Sequence, residues 1–151
     1  MPIRDVTPEL YGTGLAVAVV RSTFNSELTR QLLDGALGAL AEAQVLDVTV
    51  IDVSGALELP VVTRHLAENH DAVVALGVVI EGETDHYEHV ASQAMAGLMQ
   101  VSIMTGVPVG NGLLTVRAAQ HAIDRSELGE HNKGHEAAQA AVAAALAIRA
   151  L

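Results

Sequence analysis

Residues 72–86, AVVALGVVIEGETDH, decide the fold of this chain. The first part, Ala72–Ile80, is an unbroken apolar run, which predicts a strand buried on both faces as in a parallel sheet. The chain then turns polar at Gly82-Glu83-Thr84, and residues 85–104 show helical spacing. This junction brings together backbone N–H groups, a hydroxyl and the His86 imidazole. Such a set suits an anionic ligand and a proton transfer.

Strands and helices alternate on both sides of this segment. A regular β-α order predicts right-handed crossovers and an α/β fold, namely a three-layer α/β/α sandwich around a four-stranded parallel sheet. No internal repeat or linker interrupts residues 1–151, so we expect a single domain. The other predicted strands are residues 15–20, 45–53 and 107–115, and the other predicted helices are residues 26–43, 58–69, 116–128 and 133–149.

The composition excludes several classes of protein. The 151 residues carry a formal net charge of −10, which argues against nucleic-acid binding. There is no cysteine, so disulfides, thiolate metal sites and cysteine nucleophiles are excluded together. The N-terminus lacks the pattern of a secretory signal, and the alanine-rich residues 137–148 are too few for a membrane span. We therefore expect a soluble, cytoplasmic protein without nucleic-acid or membrane partners.

Unusual side chains collect where the predicted strands end. In an open parallel sheet, ligands bind at the carboxyl ends of the strands. Residues 22–25, 54–58, 82–86 and 110–115 are assigned to these ends, and most of the chemically distinctive side chains fall within them. We therefore expect these segments to form one site.

Each candidate at these ends also has a simpler structural interpretation. Phe24, the only phenylalanine, is either a platform for a heteroaromatic ring or a plug of the core. Glu58 either accepts hydrogen bonds from ligand hydroxyls or is a carboxylate favoured by a helix N-terminus. His86 either exchanges protons near cellular pH or is an ordinary surface histidine. The residues by themselves leave these alternatives open.

The acidic residues of the junction complicate an anion site. Glu81, Glu83 and Asp85 would repel a phosphate, and their loop contains no basic residue. Arg125 or Lys133 would have to approach from elsewhere in the chain or from another subunit. The histidine pairs at positions 86/89 and 131/135 lack further ligands, so we predict no metal site. Glycine-rich nucleotide loops and the GxSxG nucleophile motif are absent as well.

Six motifs occur in a fixed order over nearly the whole chain. They are STFN (22–25), GALELP (55–60), GVVIEGETDH (77–86), PVGNGLLT (108–115), AIDR (122–125) and NKGHEAA (132–138). In order and spacing they resemble the 6,7-dimethyl-8-ribityllumazine synthase family of riboflavin biosynthesis. The resemblance implies a flavodoxin-like fold and a transferase that condenses 5-amino-6-(D-ribitylamino)uracil with 3,4-dihydroxy-2-butanone 4-phosphate. It also implies that no metal or redox cofactor is needed.

The resemblance further implies a role for individual residues. His86 would transfer protons, and Phe24 would stack on the uracil ring. In this family the neighbouring subunit supplies Arg125, Lys133 and a loop with Asn111, which would resolve the charge problem of the junction. The full implied set comprises Phe24, Ala56, Leu57, Glu58, Val78, Val79, Ile80, Asn111 and Lys133 for the ribitylaminouracil, Glu83, Thr84 and Arg125 for the phosphate, and Glu136 beside Lys133.

The chain departs from the family pattern at three positions. Many members have Arg or Lys at the position of Glu81, Phe at that of Asn111 and a small residue at that of His131. The change at Glu81 bears on phosphate affinity, and Asn111 could hydrogen-bond the ribityl chain. Because family members form pentamers and some assemble into shells, we expect a homo-oligomer, either a pentamer or a 60-subunit shell.

Two other functions compete with the synthase. One is a non-catalytic flavin- or lumazine-binding module or shell scaffold on the same fold. The other is a flavodoxin-like signalling or electron-transfer domain, which would need a phosphate loop that residues 22–25 match only in part. The joint presence of His86, Arg125 and Lys133 favours the enzyme, since a binder needs no proton relay beside a phosphate clamp.

Overall fold

In the computed structural model, which describes residues 1–151, four strands form one parallel sheet. The strands are β1 (Ala16–Ser22), β2 (Asp47–Val53), β3 (Ala72–Ile80) and β4 (Val109–Val116). The helices are α1 (Ser26–Glu42), α2 (Leu59–Ala67), α3 (His86–Thr105), α4 (Ala119–Ser126) and α5 (Lys133–Ala150), and a turn of 3-10 helix at Ala56–Glu58 leads into α2. The strand order is β2-β1-β3-β4, with every pair parallel.

The two faces of the sheet carry separate apolar layers. Side chains alternate between faces along a strand, so Val17 and Val19 pack in the layer under α1 and α5, whereas Ala18 and Val20 pack under α2 and α3. β3 contributes to both layers in the same way, and its first seven residues are buried. The predicted three-layer α/β/α sandwich with a four-stranded parallel sheet, a flavodoxin-like architecture, is confirmed.

β2 is less buried than the continuous apolar strands of a parallel sheet are expected to be. It is an edge strand with β1 as its only neighbour, and Val50 and Ile51 are 43% and 41% exposed. Its sequence, DVTVIDV, also places polar residues at several positions that a buried strand would fill with apolar ones. A prediction from the apolar residues of β2 alone therefore gives too high a burial for this strand.

The beginning of α5 is fixed by a close crossing with α1. Gly134 lies so near the Leu32 carbonyl that any Cβ at this position would collide with it, and a Cβ at Gly35 would collide with the Asn132 side chain. The two glycines therefore allow α5 to begin directly against α1. The first residue of α5, Lys133, is held in a defined place as a result.

Some boundaries shift from the predicted ones because strand pairing extends further than expected. β4 continues to Val116, which pairs with Ile80 at the end of β3, and α4 is correspondingly shorter than the predicted helix. Asn111 lies within β4, paired with Ala75, as the predicted strand at 107–115 requires, and not in the loop that the family resemblance implied. None of the helices combines the length and apolarity that crossing a membrane requires.

Candidate active site

A cavity of about 360 Å³ opens where β1 and β3 end. Three segments form it: the residues after β1, the 3-10 turn before α2, and the junction between β3 and α3. Its walls include most of the residues expected to meet one substrate. The predicted residues that line it are Phe24, Ala56, Leu57, Glu58, Val78, Val79, Ile80, Thr84 and His86.

Phe24 is held at the mouth of this cavity by backbone contacts on both sides. Its N–H donates to the Ser54 carbonyl at 3.1 Å. Asn25 adopts a left-handed backbone conformation with φ of 60°, and its Nδ2 donates to the Val78 carbonyl at 3.0 Å. The Phe24 side chain is 70% exposed, so it is not a plug of the core in this chain. An exposed ring on a fixed backbone suits stacking against a flat ligand.

Glu58 combines a structural contact with a free acceptor. Its Oε2 accepts a hydrogen bond from the Gly55 N–H at 3.0 Å, which closes the turn before α2. Because the residue is exposed and this bond uses one carboxylate oxygen, Oε1 remains available to a ligand hydroxyl in the cavity. The structural and functional interpretations of Glu58 are therefore compatible.

His86 is the first residue of α3 and faces the same cavity. Its backbone N–H donates to Thr84 Oγ1 at 3.3 Å, so the threonine hydroxyl serves the helix start. The Asp85 side chain makes no such cap and instead lies 3.3 Å from His89 Nε2. The His86 ring is exposed and has no side-chain partner, which leaves both of its nitrogens free for a substrate.

The predicted cationic residues lie in a different cavity of about 340 Å³. Arg125, Lys133 and Glu136 line it together with residues 113–116 and His131. Lys133 Nζ lies 3.9 Å from Glu136 Oε2, and Arg125 Nη1 donates to the His121 carbonyl at 3.0 Å. Neither contact fully occupies its cation, so this cavity can receive an anion.

Two predicted residues line neither cavity. Glu83 lies in the junction, but it lines neither the first cavity nor the second. Asn111 is used within its own chain, because its Oδ1 accepts from the Leu113 N–H at 3.0 Å and its Nδ2 lies 3.0 Å from Met95 Sδ. Within one chain, the predicted site is therefore divided into two parts.

Sequence reasoning missed two residues of the first cavity, Tyr87 and Val90. Both follow His86 on α3, at one and four positions, and the helical period would place Val90 on the same side as His86. No group of three or more His, Cys, Asp or Glu side chains is arranged to hold a metal ion. The expectation that no metal takes part stays a prediction.

The parallel sheet and the cavity at the carboxyl ends of its strands define a flavodoxin-like α/β protein with a cleft where open α/β folds bind their ligands. In a comparison with known protein families, residues 14–149 match the one described as 6,7-dimethyl-8-ribityllumazine synthase. The chain belongs to this family. The predicted assignment to a transferase family of riboflavin biosynthesis is thereby confirmed.

Individual relatives agree with the family match. The chain is 46% identical over 146 residues to the 6,7-dimethyl-8-ribityllumazine synthase of Mycolicibacterium paratuberculosis, covering 95% of this chain and 91% of that protein. It is 43% identical over 152 residues to the enzyme of the same name from Renibacterium salmoninarum, covering 95% and 96%. It is 47% identical over 141 residues to that of Mycobacteroides abscessus, covering 92% and 88%.

Proposed function

We propose that this protein condenses 5-amino-6-(D-ribitylamino)uracil with 3,4-dihydroxy-2-butanone 4-phosphate in sites shared between neighbouring subunits. One observation supports a site that is shared between two subunits. The cavity with Phe24, Glu58 and His86 contains no lysine or arginine side chain, whereas Arg125 and Lys133 line a separate cavity of the same chain. Each cavity lacks what the other has, so a second copy of the chain would complete both.

The first cavity would hold the ribitylaminouracil. Phe24 would stack on its ring, and Glu58 would accept hydrogen bonds from the ribityl hydroxyls through its free oxygen. The last residues of β3, from Val78 to Ile80, would offer backbone groups to the ring edge. Asn111 of a neighbour could reach the ribityl chain only by giving up its contacts with Met95 and Leu113.

The phosphate would bind where the junction of one subunit meets the cationic cavity of the next. Backbone N–H groups at Glu83 and Thr84 would contact it from the first side. Arg125 of the neighbour would clamp it bidentately, with Lys133 close by and Glu136 orienting that lysine. The phosphate would thus be held by main-chain donors and by charges from two chains.

The chemistry would rest on holding two reactants together while protons are moved. The ring amine adds to the ketone and loses water to give an imine, phosphate is eliminated, and ring closure releases a second water. His86 would carry protons for these steps, a role that its free ring nitrogens support. No step requires an electron acceptor.

The proposal extends to the domain organisation, the location and the assembly of the protein. Residues 1–151 would act as one domain in the cytoplasm, in a homo-oligomer that is a pentamer or a 60-subunit shell. Light scattering on the purified protein distinguishes these sizes from each other and from a monomer.

Turnover is tested by mixing the purified protein with both substrates. We expect the absorbance of the lumazine to rise as phosphate is released in equal amount. Retained binding of a ribityl-pyrimidine without turnover would contradict the proposal and would identify a binding module on the same fold.

A further inference from the structure

Glu81 and Arg117 lie side by side next to the proposed phosphate site. β3 and β4 pair Ile80 with Val116, so each of the two residues is the first after its strand. The Glu81 N–H donates to the Val116 carbonyl at 2.9 Å, and Arg117 Nε lies 3.8 Å from Glu81 Oε2. The sheet itself therefore fixes the two backbones in register and brings the side chains into contact.

This pair adjoins the most acidic part of the site. Glu81, Glu83 and Asp85 occur within five positions of one another, and the loop that holds them has no basic residue. Arg117 is the arginine that pairs with a carboxylate of this loop. Arg125 and Lys133 of the same chain line the other cavity. A phosphate that approaches the junction of one subunit therefore meets Glu81, Glu83 and Asp85, and the arginine of that subunit that pairs with one of these carboxylates is Arg117.

We propose that Arg117 acts as a positioning residue that neutralises Glu81 and so prevents the loop from repelling the phosphorylated substrate. This inference rests on the proposed function. The Arg117 side chain is 84% exposed, so the pair contributes little to folding stability. Its effect is on the local potential that an anion meets within about 10 Å, where charges are only partly screened.

A charge cycle with four variants tests the inference. At low ionic strength, Arg117→Gln should raise the KM for the phosphorylated substrate about threefold to fivefold, because Glu81 is then uncompensated, and kcat should stay unchanged. Added salt should reduce this difference. The double variant Glu81→Gln/Arg117→Gln should return to the wild-type KM, and Arg117→Lys should keep it. As a control for net charge, Arg64→Gln breaks the exposed Arg64–Glu68 pair on α2 and should leave KM unchanged.

Three results would overturn the inference. They are a wild-type KM in Arg117→Gln, a KM in the double variant as high as in Arg117→Gln, or a KM in Arg64→Gln as high as in Arg117→Gln. The second would mean that Arg117 contacts the phosphate itself. Wild-type turnover in the same assay tests the proposed function separately. If the wild type does not turn over, the Kd of inorganic phosphate, measured by calorimetry on the same variants, should follow the same order, and a different order would overturn the inference as well.

Discussion

At the level of single residues, His86 differs from the other histidine on its turn of α3. Its ring faces the first cavity without a side-chain partner, whereas His89, on the same helix, lies 3.3 Å from Asp85. A ring that is free in the absence of substrate can exchange protons with one. The pair of histidines therefore offers a site residue and a matched control.

We expect His86→Ala to lower kcat by roughly a hundredfold, since a positioned acid–base group contributes about that much or more. Binding of a ribityl-pyrimidine, measured by calorimetry, should stay near the wild-type value because Phe24 and Glu58 are retained. His89→Ala should leave both quantities unchanged. A full loss of binding in His86→Ala would instead assign His86 to holding the ligand.

A second residue-level feature is the fork between Arg21 on β1 and Asp52 on β2. Arg21 is 5% exposed, and its Nε and Nη2 donate to the two oxygens of Asp52 at 3.0 and 2.8 Å. The hydrogen bonds from Arg21 lower the pKa of the Asp52 carboxyl below its usual 3.8. The same bonds raise the pKa of Arg21, so the pair stays charged throughout the neutral range.

This pair predicts a pH-dependent effect of Asp52→Asn. At pH 7 the free energy of unfolding should fall by about 1–3 kcal/mol, because a buried guanidinium loses its charged acceptor. The Asp52 pKa is lower in the folded state, so the stabilisation is complete above about pH 3.8 and is lost as the pH falls through the folded value. In urea titrations, the free energies of unfolding of the wild type and of Asp52→Asn should therefore converge as the pH falls below about 3.8. A difference that stays constant with pH would contradict the assignment.

At the level of elements, Asn132 joins three helices at the start of α5. It is fully buried, and its Oδ1 accepts from the His135 N–H at 3.0 Å. Its Nδ2 donates to the Gln31 carbonyl on α1 at 3.1 Å and to the Ser126 carbonyl at the end of α4 at 2.8 Å. The residue thus fixes the ends of the two helices that carry Arg125 and Lys133.

Asn132→Ala should lower the free energy of unfolding by about 2–4 kcal/mol, because it removes a helix cap and the side-chain donor to the Gln31 carbonyl and to the buried Ser126 carbonyl. Asn69→Ala, on an exposed asparagine after α2, should change it by less than about 0.5 kcal/mol. Thermal or urea unfolding measures both. A small effect at Asn132 would mean that water replaces its hydrogen bonds.

The elements that the sequence predicted best are those that local pattern determines. The apolar run of β3 predicted its bounds without error, because an unbroken apolar segment between polar ends has one interpretation in an α/β fold. The end of β4 and the exposure of β2 depended on pairing partners, which are properties of the whole sheet.

At the level of the whole molecule, the structure separates the predicted site residues into two cavities. Position at strand ends was sufficient to predict Phe24, Glu58 and His86 as neighbours. It could not predict the separate place of Arg125 and Lys133, because α4 and α5 pack on the face of the sheet opposite α2 and α3, and both residues line the second cavity. The acidic junction left open whether these cations come from the same chain or from another subunit, and the family resemblance indicated the second subunit.

The division into two cavities allows the shared site to be tested by complementation. His86→Ala and Arg125→Ala each damage a different cavity, so both variants should have low activity as pure proteins. In a mixed oligomer with heterologous contacts, about one quarter of the interfaces would join an intact His86 to an intact Arg125. A control verifies that subunits exchange: wild type is mixed in equal amount with the double variant. The activity of this mixture should fall from about one half to about one quarter of that of pure wild type when the subunits reassemble at random.

The most direct measurement is the lumazine synthesis rate of an equal mixture of the two single variants after dissociation and reassembly. A site shared between subunits predicts recovery to about one quarter of the wild-type rate. A rate that stays at the mean of the two pure variants, while the exchange control succeeds, would show that each site lies within one chain and would contradict the proposal.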